Sequence, residues 1–212
     1  MEKPVIIFGA GPLGRATLEI FESNKVITYC FLDDDTSLRG KEIDHVAVMG
    51  SMDDEAILSR IGKKCEVFIA IDENRIKKSM TRKVVEELKV MPVNAIHERA
   101  YISFSATLGH GNFINAGTAI GTGAVIGSHC ILNSNVVVDH TAVLGDYVQV
   151  GAGSVINSGA DIGNEVFIGS GVTIISGIRV GKGARIGAGS VVVSHVEAGS
   201  TVFGNPAKKV EK

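Results

Sequence analysis

Histidine side chains are the groups in this chain best suited to moving a proton near neutral pH, and His140 stands out among the six. A general base that assists attack of an amine or a hydroxyl on a carbonyl carbon must titrate near neutrality. His140 comes two places after Val138, an inward position of the repeat described below, so we expect its imidazole to point outward. We predict His140 and Asp139 as catalytic residues. Adjacent side chains of a flat strand diverge, so Asp139 need not touch His140. The candidates for the group that orients the imidazole ring are Asp139, Asp146 and a residue of a neighbouring subunit.

The other histidines and the cysteines offer less chemistry. His129 could line the same cleft as His140. Four histidines are predicted to lie at the surface: His45, His97, His110 and His195. No histidine pair has the spacing of a metal site, so no metal is predicted. Three cysteines without a CxxC spacing are predicted to be buried thiols in a reducing cytosol: Cys30, Cys65 and Cys130.

A glycine-rich turn near the amino terminus could hold a phosphate group. It follows the apolar run 4–8 and precedes a predicted helix over 15–23, and a second predicted strand over 26–32 ends in three aspartates. Glycines let the backbone approach a phosphate, a helix start offers free N–H groups, and a carboxylate accepts hydrogen bonds from a sugar or a base. We predict substrate contacts at the carboxyl ends of the strands: Gly9, Gly11, Pro12, Leu13, Gly14, Asp33, Asp34, Asp72 and Arg75. A solvated loop is the alternative for the aspartates, and a solvated helix face is predicted for Lys77, Lys78, Arg82 and Lys83.

A strict six-residue repeat runs through the second half of the chain. Aliphatic residues recur at every sixth position from Ile102 to Val192, sixteen positions in one register. Helices repeat every 3.6 residues and strands every two, so neither explains a period of six. A prism with three flat faces does, because each hexad supplies one short strand and a turn, and three hexads close one coil around a shared aliphatic core.

These patterns predict an α/β unit followed by an all-β unit. Residues 1–98 are predicted to form a small Rossmann-like parallel α/β domain, with further strands over 46–50 and 67–71 and helices over 53–60 and 73–88. Residues 99–212 are predicted to form a parallel β-helix of a little over five coils, without a long insertion.

Composition and charge argue against several classes of protein. The net charge of −2 gives no sign of nucleic-acid binding or of attachment to acidic membranes. No apolar stretch approaches 18 residues without charges or glycines, and the amino terminus has no signal-like pattern. We therefore expect a cytoplasmic protein.

The whole chain resembles the sugar O-/N-acyltransferase family of hexapeptide-repeat transferases, which includes sialic acid O-acetyltransferases and N-acetyltransferases of nucleotide-linked amino sugars. Five segments carry the resemblance: 7–11 (IFGAG), 31–34 (FLDD), 68–71 (FIAI), 131–140 (ILNSNVVVDH) and 203–208 (FGNPAK). The resemblance implies a left-handed β-helix, a nucleotide-sugar acceptor in the first domain, and a homotrimer with acetyl-CoA between its subunits. It also implies that His140 is the general base. Family members that acetylate amines often carry a carboxylate directly after this histidine, where this chain has Thr141.

The resemblance also places acetyl-CoA along small residues in a groove between neighbouring prisms. These residues are Ser158, Gly159, Gly169, Ser170, Gly187, Ala188 and Gly189. Lys208, in a tail similar to the closing motif of hexapeptide transferases, could contact a phosphate of coenzyme A. For each glycine taken alone, a tight corner of the prism is an alternative explanation.

The predicted reaction is direct acetyl transfer from acetyl-CoA to the amino group of a nucleotide-linked 4-amino-deoxy sugar in surface glycan synthesis. An acyl-enzyme is not expected, because Cys130 is predicted to point into the core. O-acetylation of sialic acid or another sugar hydroxyl is the alternative. A non-catalytic nucleotide-binding scaffold is the second alternative.

Overall fold

The computed structural model describes residues 3–210, and the chain folds into two compact units with their boundary between Glu98 and Arg99. We call them the amino-terminal unit and the β-helix unit. Within the described residues, no helix is both long and apolar enough to span a bilayer.

The amino-terminal unit is an α/β sheet with helices between its strands. Its elements are β1 (Val5–Phe8), α1 (Pro12–Ser23), β2 (Thr28–Leu32), β3 (Glu42–Ile43), β4 (Val46–Gly50), α2 (Glu55–Leu58), β5 (Glu66–Ile69), α3 (Asn74–Arg82) and β6 (Ala95–Ile96). The sheet order is β3-β4-β2-β1-β5. Strands β4, β2, β1 and β5 are parallel, which confirms the predicted parallel α/β architecture, and β3 pairs antiparallel with β4 at one edge. Strand β1, between β2 and β5, is buried along its whole length, so its residues are uniformly apolar and do not alternate.

The helices differ from their predicted extents for local reasons. Helix α1 begins at Pro12, three residues earlier than predicted, because proline suits a first helical position whose N–H has no intrahelical partner. Helix α2 is shorter than predicted and begins after Asp54, whose side chain accepts hydrogen bonds from Ala56 N and Ile57 N. A π-helical turn, Lys83–Glu87, continues α3.

The predicted solvated face of the third helix is wrong for two of its lysines. Lys77 is only 2% exposed, because it lies on the buried side of α3 with Thr81. Lys83 is also largely covered: its Nζ donates a hydrogen bond to Met52 O at 3.0 Å and forms an ion pair with Asp53. A basic helix in the sequence is thus not a uniformly solvated one.

The β-helix unit consists of sixteen two-residue strands on three faces, followed by a carboxy-terminal hairpin. The first face contains Tyr101–Ile102, Ala119–Ile120, Val137–Val138, Val155–Ile156, Thr173–Ile174 and Val191–Val192. The second face contains Thr107–Leu108, Val125–Ile126, Val143–Leu144, Asp161–Ile162 and Arg179–Val180. The third face contains Phe113–Ile114, Ile131–Leu132, Gln149–Val150, Phe167–Ile168 and Arg185–Ile186. Strand Thr201–Gly204 extends the third face and pairs antiparallel with Ala207–Lys209.

Each strand from Tyr101–Ile102 to Thr173–Ile174 pairs in parallel with the strand eighteen residues later on the same face, as Val137 does with Val155. Each coil therefore uses three hexads, and the predicted period is confirmed. The aliphatic residues from Ile114 onward are buried, whereas Ile102 and Leu108, in the first coil, are partly exposed. We call the corners by the faces they join: the first corner joins the first and second faces, the second corner joins the second and third, and the third corner joins the third and first.

Candidate active site

His140 lies at the first corner, with its side chain 61% exposed. Its ring Nδ1 is 2.9 Å from Asp139 Oδ1, and its backbone N–H donates to the same oxygen at 2.7 Å. The expected divergence of adjacent side chains does not apply, because the strand ends at Val138 and Asp139 already belongs to the corner. Asp146 lies at the second corner, where Oδ1 accepts a hydrogen bond from Ser128 N. Within one chain, Asp139 is thus the carboxylate that contacts the imidazole.

The hydrogen bonds around Asp139 determine which nitrogen of His140 can act as a base. The backbone N–H of His140, and after it the ring N–H, hold the pKa of the Asp139 carboxyl below its usual value, and the Ser158 N–H adds to this effect. An ionised carboxylate only accepts hydrogen bonds, so Nδ1 must be the donor. In the neutral imidazole, Nε2 then carries the lone pair that can accept a proton.

The residues stacked on His140, eighteen positions apart, form one exposed column at the first corner. Ser158 and Ser176 follow His140 on successive coils, with their hydroxyl oxygens 3.2 Å apart. Gly159 N donates to His140 O at 3.3 Å, and a Cβ on Gly159 would have nothing within 4 Å. The structure therefore brings the predicted Ser158 and Gly159 beside His140.

Phe104 lies in the same column, two coils before His140, and is fully exposed. It is not among the residues predicted from the sequence. The signal was available, because 36 residues separate Phe104 from His140 and this distance equals two coils.

The other five small residues predicted for acetyl-CoA lie at the third corner. Ser170, Ala188 and Gly189 follow strands of the third face, so one chain does not bring them to His140. A Cβ on Gly169 would lie 2.5 Å from Ala188 N, and one on Gly187 would lie 2.4 Å from the Phe203 ring. Close contacts within the chain therefore account for glycine at these two positions.

Lys208 is exposed on the strand Ala207–Lys209. It lines a cavity of about 400 Å³ together with Ser194, His195 and Lys209. Lys209 Nζ is 2.6 Å from Glu197 Oε2, so the neighbouring lysine already has an anionic partner.

The other histidines divide into buried and exposed groups. His129 lies at the second corner, is 5% exposed and stacks on Tyr147 with 4.9 Å between ring centroids, so it does not line a cleft with His140. His97 is 7% exposed, and its predicted surface position is wrong because it is enclosed within the folded chain. Three histidines are exposed as predicted: His45, His110 and His195.

The cysteines are buried free thiols. Cys130 is fully inside the β-helix, where its Sγ donates to Gly145 O at 3.1 Å. Over residues 3–210, no cluster of histidine, cysteine, aspartate and glutamate side chains could hold a metal ion.

Glycine occurs at the positions of the amino-terminal turn for different physical reasons. Gly9 has φ +99°, and a Cβ there would lie 2.6 Å from Ala70 O. A Cβ on Gly14 would lie 2.1 Å from Gly9 O. A Cβ on Gly11, directly before Pro12 and Leu13 of helix α1, would have no atom within 4 Å. Gly9 and Gly14 are required by contacts within the chain, whereas the space in front of Gly11 is open.

The carboxyl ends of β2, β1 and β5 meet at one edge of the sheet, as the predicted substrate contacts require. Asp33 Oδ2 accepts from Ala10 N at 2.7 Å and thereby holds the glycine turn. Asp34 Oδ1 accepts from Met52 N at 2.9 Å. Asp72 is exposed after β5, and Arg75, also exposed, bonds Glu73 through Nε at 3.2 Å.

A cavity of about 510 Å³ in this unit is lined by none of the predicted site residues. It lies near the amino ends of β2 and β4, around Lys25 and Thr28, where His45 Nε2 lies 2.6 Å from Glu22 Oε1. The opposite edge of the sheet holds the start of α1, where backbone N–H groups lack intrahelical partners and the space in front of Gly11 is open.

Comparisons with known proteins agree on the family. The family model of the PglD N-terminal domain matches residues 4–84, and that of the bacterial transferase hexapeptide (six repeats) matches 141–176 and 159–194. The comparison with curated protein sequences gave no match.

Solved structures match over the whole chain. PerB from Caulobacter crescentus, in complex with CoA and GDP-perosamine, is 30% identical, with 100% of this chain and 99% of that chain covered and a TM-score of 0.89. A variant of GDP-perosamine N-acetyltransferase from the same organism, with one histidine replaced by alanine, is 29% identical over the same shares, with a TM-score of 0.90. The acetyltransferase domain of PglB from Neisseria gonorrhoeae, in complex with acetyl coenzyme A, is 29% identical, with 99% and 100% covered and a TM-score of 0.90. This chain belongs to the sugar acyltransferase family of hexapeptide-repeat transferases, with the left-handed β-helix of that family.

Proposed function

We propose that this protein transfers the acetyl group of acetyl-CoA to the amino group of a nucleotide-linked 4-amino-deoxy sugar in surface glycan synthesis, in the cytoplasm. The observation that carries the proposal is the Asp139–His140 pair at an exposed corner of a hexapeptide β-helix. Solved structures that match the whole chain contain CoA, acetyl-CoA or GDP-perosamine.

In the proposed mechanism Asp139 holds the imidazole and His140 moves the proton. The amine nitrogen attacks the acetyl carbonyl carbon, His140 Nε2 accepts the proton that the nitrogen loses, and the carbon–sulfur bond breaks to release the thiolate. Ionised Asp139 favours the imidazolium that forms. The amine must be neutral when it attacks, so the rate rises with pH through the ammonium pKa.

The amino-terminal unit would hold the nucleotide at the carboxyl ends of β1, β2 and β5. Support comes from the open space before Gly11 and from the N–H groups at the start of α1.

Gly11→Ala and Gly14→Ala form a matched pair of variants that tests this site. Gly11→Ala should raise KM for the acceptor with little change in stability, because its Cβ enters only the open space. Gly14→Ala should lower the free energy of unfolding by roughly 2 kcal/mol or more, because its Cβ would collide with Gly9 O. Unchanged acceptor KM in Gly11→Ala would argue against a nucleotide at this turn.

A homotrimer would unite the two sets of residues predicted for acetyl-CoA. Ser158 and Gly159 lie at the first corner and Gly189 lies at the third, so a single groove requires corners from two chains. Mixing two inactive proteins tests this arrangement. His140→Ala removes the base, and Gly189→Asn fills the open space at the third corner with a residue that tolerates a positive φ. Each mixed trimer should regain one active site, which is about a quarter of all sites in a random one-to-one mixture. No recovery, with mixed trimers present, would argue against a shared site.

The experiment that tests the function measures thiol release from acetyl-CoA with UDP-, dTDP- and GDP-linked 4-amino sugars and with free sialic acid. Turnover with one amino sugar, lost in His140→Ala, is the expected result. Turnover only with a hydroxyl acceptor would instead establish the O-acetyltransferase alternative. Unchanged turnover in His140→Ala would remove His140 from the mechanism.

A further inference from the structure

Thr141 has an unusual backbone conformation directly after His140. Its φ is +58°, in the left-handed region that β-branched residues rarely adopt. The equivalent first-corner positions of the neighbouring coils are glycines with positive φ: Gly123, Gly159 and Gly177. Threonine is therefore strained at a position where the neighbouring coils use glycine.

Other left-handed corners show that the strain at Thr141 is not a general need of the fold. In the described β-helix, four further non-glycine residues have a positive φ: His129, Asn135, Tyr147 and Glu165. None of them is β-branched, and all lie at the second or third corner. Thr141, the β-branched residue of this set, directly follows the proposed base His140.

The Thr141 side chain bonds the backbone of His140. Thr141 Oγ1 donates to His140 O at 2.7 Å, and Gly159 N on the next coil donates to the same oxygen at 3.3 Å. Thr141 N donates to Thr122 O at 3.0 Å on the preceding coil. The peptide between His140 and Thr141 is thus held from both neighbouring coils and from the threonine hydroxyl.

We propose that Thr141 is a positioning residue, whose left-handed backbone and hydroxyl bond to His140 O hold the His140 backbone so that its imidazole stays on Asp139 and Nε2 stays aimed outward. The inference rests on the proposed role of His140 as the base. Strain maintained at one residue beside a reacting group is a known way to fix catalytic geometry. A carboxylate at this place could bond the ring itself, whereas the threonine acts through the backbone.

The test compares Thr141→Gly and Thr141→Ser with Glu165→Gly as a control. Glycine relieves the strain and removes the hydroxyl, and serine keeps the hydroxyl. Glu165 has φ +64° at the second corner, so its glycine variant relieves a left-handed backbone away from His140. We measure kcat, both KM values and the urea unfolding midpoint for each protein.

Thr141→Gly should lower kcat by roughly 10- to 100-fold, because small misplacement of a reacting group carries effects of this size. Its KM values should stay within about twofold, and its unfolding midpoint should not fall, because glycine is the usual residue at this corner. Thr141→Ser and Glu165→Gly should keep kcat close to that of the wild type. A kcat preserved in Thr141→Gly, or lost equally in Glu165→Gly, would overturn the inference about Thr141. The activity of His140→Ala tests the proposed function separately: an inactive variant leaves the proposed function standing, and an active variant would overturn it.

Discussion

The first and second corners of the β-helix share one backbone repeat but use their polar residues differently. At the second corner, polar side chains bond the coil before them: Ser128 N donates to Asp146 Oδ1 at 2.7 Å, and Asp146 N donates to Asn164 Oδ1 at 3.0 Å. His129 is buried there under a stacking contact with Tyr147. At the first corner, the Asp139–His140 pair is exposed, and Asp139 accepts from both the ring and the backbone N–H of His140.

The difference separates stabilising from reactive polar groups on the same scaffold. A carboxylate used to satisfy the backbone of another coil, as Asp146 is, contributes to stacking of the coils. A carboxylate that bonds an exposed imidazole, as Asp139 does, leaves a proton-accepting nitrogen facing solvent. Two histidines eleven positions apart therefore have different expected roles.

The largest expected effect is the loss of activity in His140→Ala. Removal of a general base typically lowers kcat by about 10²- to 10⁴-fold. The unfolding midpoint should change little, because the side chain is mostly exposed. Steady-state kinetics and urea denaturation on the same preparation measure kcat and the unfolding midpoint. A large loss of stability would contradict the distinction between the two corners.

Asp139→Asn should give the next largest effect. The amide cannot stabilise the imidazolium by charge, and it can present its N–H₂ to Nδ1 and favour the wrong tautomer. We expect kcat to fall by about 10- to 100-fold, with both KM values little changed. Asp146→Asn is the matched control: it should leave kcat close to that of the wild type, and an equal loss of kcat in both variants would contradict the distinction between the two corners.

His129→Ala should act on stability rather than on catalysis. Removing a buried ring that stacks on Tyr147 should lower the free energy of unfolding by roughly 1–3 kcal/mol. kcat per folded molecule should remain near that of the wild type. A kcat that falls as far as in His140→Ala would show that the buried histidine also belongs to the site.

The smallest expected effect is on acid stability. Because the native state lowers the pKa of Asp139 from its usual 3.8, the ionised carboxylate stabilises the fold above that pH, and this contribution is lost as the pH falls through the lowered value. The unfolding midpoint of Asp139→Asn should therefore fall less steeply below about pH 4 than that of the wild type. Equal slopes would mean that the Asp139 bonds to His140 do not persist in solution.

Much of the fold follows from short-range pattern. The six-residue period of aliphatic residues allows only a structure that returns every residue to the same side after six positions, and the β-helix has that geometry. The uniformly apolar strand β1 and the apolar run 67–69 of β5 indicated a parallel sheet buried on both faces. The outward position of His140 followed from its place two residues after Val138.

Other features of the β-helix could not be predicted from the six-residue period. The period separates inward from outward residues but does not determine which neighbouring side chains cover an outward residue. His129 is an outward residue of the period that is nevertheless buried, because the Tyr147 ring stacks on it. The contact between Asp139 and His140 depends on corner torsions that no hydrophobic periodicity records.

The sequence by itself determined the two-unit architecture, the family and the direction of His140, because apolar periodicity and glycine spacing are local properties of the chain. Only the tertiary structure decided that Asp139 contacts the imidazole, that Thr141 adopts a left-handed backbone beside it, and that the predicted acetyl-CoA residues divide between two corners. These features arise when coils stack eighteen residues apart, since stacking brings distant residues together and sets the torsions of the corners between them.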